Sequence, residues 1–197
     1  LFNQINKVLN KKENKVVYAY WPMIDSLLHK FGVKSSLAKR HLLKVDKKVE
    51  ALRNKMNKDT ILLISADHGM VDVNWKNTVI VNDHPIFDEC LTVPITGDGR
   101  APFLFIRSGK EKQLINYFNK NFKRYGWLYK TSELIKKNLF GGNSEELYRR
   151  AGDYIILCES GCMFKQFLFK SERKKLKGNH GGISEDEMFV PLIYLRS

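Results

Sequence analysis

A short, continuous apolar run at residues 60–65 (TILLIS) leads directly into Ala66-Asp67-His68-Gly69. Six residues are too few for a core helix, and an unbroken apolar run matches a strand covered on both faces, the usual state of strands in parallel sheets. A buried strand that feeds a polar loop sets that loop at the carboxyl edge of a sheet, where α/β folds form ligand sites. Adjacent Asp67 and His68 offer an oxygen and a nitrogen donor side by side, and Gly69 permits a tight turn behind them. A polar turn that merely ends a strand is the competing reading of the same residues.

The remaining chain alternates between strand-like and helix-like stretches. Residues 15–21 (KVVYAYW) are β-branched and aromatic, which predicts a strand, and Pro22 after it suits the first turn of a helix. Leu37, Leu42, Val45, Val49 and Leu52 recur at near-helical spacing among lysines, predicting an amphipathic helix over residues 36–56. Strands are expected at 102–107, 153–158 and 189–195, helices at 110–122 and 131–139, and a short helical turn capped by Ser184. This alternation predicts an α/β layered sandwich with a mostly parallel central sheet, as one domain over residues 1–197.

Composition narrows the partners. At 197 residues with 43% hydrophobic content, the chain is long enough to bury a core. Its formal charge of +13 attracts anions: phosphate esters, nucleotides, nucleic acid or a membrane surface. A solvated lysine-rich surface explains the same number, because lysines occur along the whole chain, including the basic stretch at 170–177. Cys90, Cys158 and Cys162 make an odd count without a CxxC pair, so no disulfide framework is implied and they read as small buried hydrophobes. No run of 18 apolar residues is present to span a membrane. The chain opens at Leu1 without a signal-peptide pattern, so it reads as a piece of a longer polypeptide, with the cytoplasm the default compartment.

Two further segments match metal-ligand chemistry. Asp25 and His29 are four residues apart, so on a helix both project from one face toward one ion. His180 lies in Gly178-Asn179-His180-Gly181-Gly182, where glycines let backbone and imidazole approach a ligand closely. A surface carboxylate beside a histidine, and an incidental histidine in a loop, are the plain alternatives. Taken together, three histidines and two aspartates form a donor mixture suited to Zn²⁺ or a similar divalent ion. His41, His84 and Asp72 are not counted among the ligands, and Tyr20 and Trp21 read as core aromatics or as a stacking surface for a base.

The segments YWPMIDSLLHKFG (20–32), ISADHGM (64–70) and GNHGGISEDEMFVPL (178–192) occur in the order and approximate spacing of the type I phosphodiesterase/nucleotide pyrophosphatase branch of the alkaline phosphatase superfamily, which the chain resembles. Weaker echoes at Val45-Asp46, Gly97-Asp98-Gly99-Arg100 and Gly152-Asp153 extend the resemblance over nearly the whole length. It implies an alkaline-phosphatase-like fold whose N-terminal part is absent, so that the N-terminal half of the same catalytic domain is a partner. It also implies two divalent ions, usually zinc with manganese an alternative: Asp25, His29 and His180 would bind one, and Asp67 and His68 the other. A further Asp and the nucleophilic Thr or Ser would lie upstream. The implied reaction is two-metal hydrolysis of a phosphodiester or pyrophosphate bond, with a nucleotide or other phosphate ester as substrate, through a covalent intermediate. Leu28 departs from the family, which commonly has glycine before the histidine. A phosphomonoesterase or phosphonate hydrolase of the same superfamily, and a non-catalytic basic module for nucleic acid, are the rival readings.

Overall fold

Residues 1–142, 144–169 and 175–196 are described by a computed structural model of the chain. Three helices come first: α1 (Phe2–Leu9), α2 (Met23–Phe31) and α3 (Ser36–Arg53). As expected, α2 starts directly after Pro22. Ser35 starts α3: its hydroxyl accepts hydrogen bonds from the amides of Leu37 and Ala38, at 3.2 and 3.4 Å, satisfying two amides that have no partner within the helix.

The strand β1 (Ile61–Ser65) pairs antiparallel with β10 (Leu192–Arg196), in a register that sets Leu63 opposite Tyr194. Between them in sequence, β2 (Val71–Asp72) pairs antiparallel with β9 (Gly178–Asn179), and β3 (Thr78–Ile80) runs parallel to β8 (Met163–Lys165). A four-stranded antiparallel sheet has the order β4 (Thr96–Asp98), β5 (Ala101–Leu104), β7 (Tyr154–Cys158), β6 (Gly126–Lys130). The short helices α4 (Pro85–Asp88), α6 (Thr131–Lys136), α7 (Glu145–Arg150) and α8 (Glu185–Met188) and the longer α5 (Glu111–Asn121) complete the elements.

The core gathers around β7, all five residues of which are buried. One side of it joins Val81, Phe87, Leu104, Leu114, Phe118 and Phe164 around Phe122, whose ring meets Phe87 edge-on at 5.1 Å and Phe164 at 5.3 Å. Leu134, Ala151, Ile155 and Leu157 form a second cluster. Each fully buried large apolar side chain contributes about 1.5–3 kcal/mol relative to exposure, so the burial around this sheet anchors the described fold. The cysteines are free and buried, and burial pushes the Cys158 thiol up to about 12, which removes it as a thiolate donor at neutral pH.

Three expectations are corrected. Residues 15–21 join no strand ladder; Val16 and Tyr18 are 99% and 89% exposed, because a strand exists only through a neighbour for its backbone groups. The run at 60–65 does form a strand, yet it is neither parallel nor covered on both faces. Leu63 and, on the same face, Leu192 are 62% and 75% exposed, since no described element packs over them. The α/β alternation holds, but the ladders among the described residues are mixed, with β3–β8 the parallel one. Residues 170–174 of the basic stretch lie outside the described residues; Lys175 sets its ammonium over the Trp75 ring at 5.5 Å. No helix among the described residues is long and apolar enough to cross a membrane.

Candidate metal centre

Backbone pairing brings three segments, far apart in sequence, to one place. The β2–β9 ladder sets Val71 opposite Asn179, so the loop after β1 and the glycine-rich loop lie side by side. The end of α2 is tied to β9 twice: the Lys177 amide donates to the His29 carbonyl at 2.9 Å, and His29 Nδ1 meets the Gly178 carbonyl at 2.9 Å. Asp72 adds a third tie, accepting from the Val33 amide at 2.7 Å.

That arrangement orients the histidine rings. A carbonyl oxygen only accepts, so His29 Nδ1 carries a proton and Nε2 is the nitrogen turned toward the site. His68 repeats the pattern, with Nδ1 donating to the Gly69 carbonyl at 2.8 Å. Both Nε2 atoms face acids: His29 Nε2 is 3.3 Å from Asp25 Oδ1, and His68 Nε2 is 3.7 Å from Asp67 Oδ1. His180 Nε2 lies 3.8 Å from the same Asp25 oxygen. Its ring stacks on His68 at 3.6 Å between centroids and tilts against His29 at 5.0 Å.

Asp25 Oδ1 is buried and accepts no hydrogen bond. Buried carboxylate oxygens are normally satisfied, and one that instead faces imidazole nitrogens without a hydrogen bond is a place for a positive charge. A divalent cation fits this donor set: ligand atoms of Asp25, His68 and His180 lie within 4.8 Å of one another, and two of the three histidines already hold Nδ1–H on a carbonyl, as metal-ligating histidines do. The tightest trio differs from the implied grouping, because the stacking places His68, rather than His29, next to His180. Asp67 is the most exposed of the five and accepts from the His68 amide at 3.2 Å.

Burial is the main cause that lowers the His180 pKa below its usual 6.5; His68 and then His29 add to it, while Asp98 and Asp25 oppose. The metal-free folded chain therefore keeps His180 neutral at pH values where an unfolded chain has protonated it. Above pH 6.5 both states are neutral and stability is unaffected; as pH falls through that value the unfolded state takes up the proton first, and stability drops until the folded pKa is passed. Melting of the metal-free chain between about pH 7.5 and 5 should show this loss, and His180→Asn should reduce it. Superimposable pH profiles for the two proteins would contradict the assignment.

Asp98, which sequence reasoning noted only as part of a glycine-flanked echo, stands against the His180 loop. Gly181 has φ +99°, and a Cβ there would come within 2.9 Å of the Asp98 carboxylate carbon, so glycine is required. Arg100 and Glu187 were also missed: they form a buried ion pair behind that loop, and the visible signal was an arginine closing Gly97-Asp98-Gly99. A cavity of about 310 Å³ opens beside His29 and His180, walled by Gly97, Asp98, Phe164 and Gln166. The residues left out of the ligand set have other partners. His41 accepts from the Trp21 indole at 2.9 Å, and His84 Nδ1 bonds the Tyr117 hydroxyl at 2.9 Å. Trp21 also packs on Phe2, whereas Tyr20 is exposed.

The sequence of residues 2–183 matches the family model for type I phosphodiesterase/nucleotide pyrophosphatase. Curated protein sequences contain no match. Among solved structures, murine ectonucleotide pyrophosphatase/phosphodiesterase 5 aligns with a TM-score of 0.74 at 18% identity, covering 97% of this chain and 50% of its own. An inactive form of that murine protein in complex with AMP aligns at 0.72 and 17% identity, with coverage of 97% and 50%. The human protein of the same name aligns at 0.65 and 19%, covering 86% of this chain and 44% of its own. The chain thus spans about half the length of the solved proteins that share its fold.

Proposed function

The chain belongs to the type I phosphodiesterase/nucleotide pyrophosphatase family, and from that premise we propose that it is the C-terminal half of a two-metal hydrolase of phosphodiester or pyrophosphate bonds in nucleotides. The observation that carries this reading is the convergence of Asp25, His29, Asp67, His68 and His180 from three distant segments around a buried carboxylate oxygen with no hydrogen-bond donor. Zinc or manganese ions bound by these residues would supply Lewis-acid stabilisation of charge on the phosphoryl oxygens.

The chain's own residues prepare that chemistry. The Gly178 and Gly69 carbonyls hold the His29 and His68 rings with Nε2 turned toward the carboxylates, so both rings present the nitrogen that would ligate a metal. The neighbouring cavity, with neutral Gln166 and the Asp98 carboxylate on its wall, receives one side of the substrate. The attacking hydroxyl belongs to a Thr or Ser in the half of the domain that this chain does not span. Its oxygen bonds to phosphorus as the leaving-group oxygen departs, and water then cleaves the resulting ester. AMP in the murine relative supports nucleotides as the substrate class.

The missing half also has a docking place. Ile61, Leu63, Leu192 and Tyr194 line one face of the β1–β10 ribbon and are all exposed, an apolar surface suited to the remaining layers of the catalytic domain. The substrate class is tested on the complete enzyme. A nitrophenyl ester of a nucleoside monophosphate should be cleaved with a kcat/KM about tenfold or more above that of nitrophenyl phosphate, equivalent to about 1.4 kcal/mol of transition-state preference. The reverse ranking would make the enzyme a phosphomonoesterase.

A further inference from the structure

We propose that Arg100 and Glu187 act as a positioning pair that sets the spacing between His68 and His180, an inference that rests on the metal-centre reading above. Arg100 and Glu187 are 0% and 1% exposed, and the guanidinium grips the carboxylate with two bonds, Nε to Oε1 at 2.5 Å and Nη2 to Oε2 at 2.7 Å. The same carboxylate accepts from the Gly182 amide at 2.9 Å and from the Ser184 hydroxyl at 2.6 Å. Gly182 lies two residues after His180. The backbone carbonyl of Glu187 accepts from the Gly69 amide at 2.8 Å, and Gly69 directly follows His68. One residue therefore holds both ligand loops, the first through its side chain and the second through its main chain.

Arg100 fastens that residue to the buried sheet. It stands at the turn into β5, its carbonyl accepts from the Cys158 amide at 3.0 Å, and its Nη1 donates to the Glu159 and Cys162 carbonyls at 2.9 and 2.7 Å. Little room is left for adjustment: a Cβ at Gly69 would fall 1.9 Å from the Asp186 carbonyl oxygen, and one at Gly182 would fall 2.8 Å from the Glu187 carboxylate. Four donors occupy the two oxygens of Glu187, so it has no lone pair free for a metal or substrate. Its role is to act through His68 and His180. Buried pairs of this kind are costly to desolvate, which makes specificity of geometry a better account of this one than bulk stability.

The experiment is Co²⁺ binding to the 197-residue chain and its Glu187→Gln variant, read by calorimetry and by the visible absorption of the bound ion, well below the melting temperature of each. Glu187→Gln should weaken Co²⁺ about 10–100-fold, as loss of a partner behind metal ligands does, and should change the absorption band shape. Unchanged affinity and spectrum in a folded variant would overturn the proposal and leave the pair with a purely structural role, visible only in the melting temperature. If Glu187→Gln does not fold, Ser184→Ala decides. It removes one bond to the carboxylate and should weaken Co²⁺ several-fold, about 1 kcal/mol at most, whereas wild-type affinity would overturn the proposal. A wild-type chain that binds no Co²⁺ would remove the metal centre itself, and the positioning role with it.

Discussion

Supplied with excess Zn²⁺ or Mn²⁺ and a nucleotide diester, the 197-residue chain should turn over no substrate above background. Five donor side chains converge in it, yet the resemblance assigns the nucleophile and one further acidic ligand to the half of the domain that the chain does not span. Ser65, the nearest hydroxyl in sequence to Asp67-His68, matches no nucleophile of the family and bonds the Ala66 carbonyl at 3.4 Å. Without an attacking hydroxyl, the covalent step is lost outright rather than slowed in proportion to binding. Adding the upstream half, by co-expression or as one polypeptide, should restore turnover and at the same time protect Leu63 and Tyr194 on the β1–β10 face from solvent, which hydrogen exchange along the ribbon would read. Robust turnover by the chain alone, abolished by Asp67→Ala, would defeat this expectation. It would mean that a hydroxyl or an activated water already present here attacks phosphorus.

The second large effect is a reversal of sign at Asp25. In the metal-free chain its Oδ1 is buried without a donor and faces two imidazoles, an arrangement that costs about 1–3 kcal/mol for an unsatisfied buried polar atom. Asp25→Ala should therefore raise the melting temperature of the metal-free chain. With zinc the order should invert. Wild type gains about 2.7 kcal/mol when free metal is a hundredfold above its dissociation constant, while the variant, lacking the oxygen nearest both His29 and His180, gains far less. Thermal melts of the two proteins with chelator and with zinc give all four values. A variant that is less stable without metal, or that retains the full zinc shift, would show that Asp25 is an ordinary structural carboxylate. In the complete enzyme the same substitution should lower activity at limiting zinc by more than the about 10–100-fold expected from disturbing an outer partner of a ligand.

Local sequence determined much of this molecule. Ser35 and Pro22 mark the starts of α3 and α2 because a capping hydroxyl and a proline ring act within one turn, without reference to the rest of the fold. The i, i+4 spacing set Asp25 and His29 on one face of α2, since helix geometry alone fixes that, while the Gly178 carbonyl turned the ring that meets Asp25 at 3.3 Å. An unbroken apolar stretch ending in Asp67-His68 announced a strand that delivers donors to its carboxyl end. Only the tertiary structure decided what faces what. Residues 15–21 have strand composition and no strand, and β1 has an antiparallel neighbour in place of parallel ones, because pairing depends on partners elsewhere in the chain or beyond it. The stacking of His68 on His180 joins residues more than 100 positions apart through the β2–β9 ladder, which no periodicity encodes. Arg100 and Glu187 stood in two segments of the family resemblance without a role, since burial of an ion pair shows only when both partners and the bonds that satisfy them are brought together.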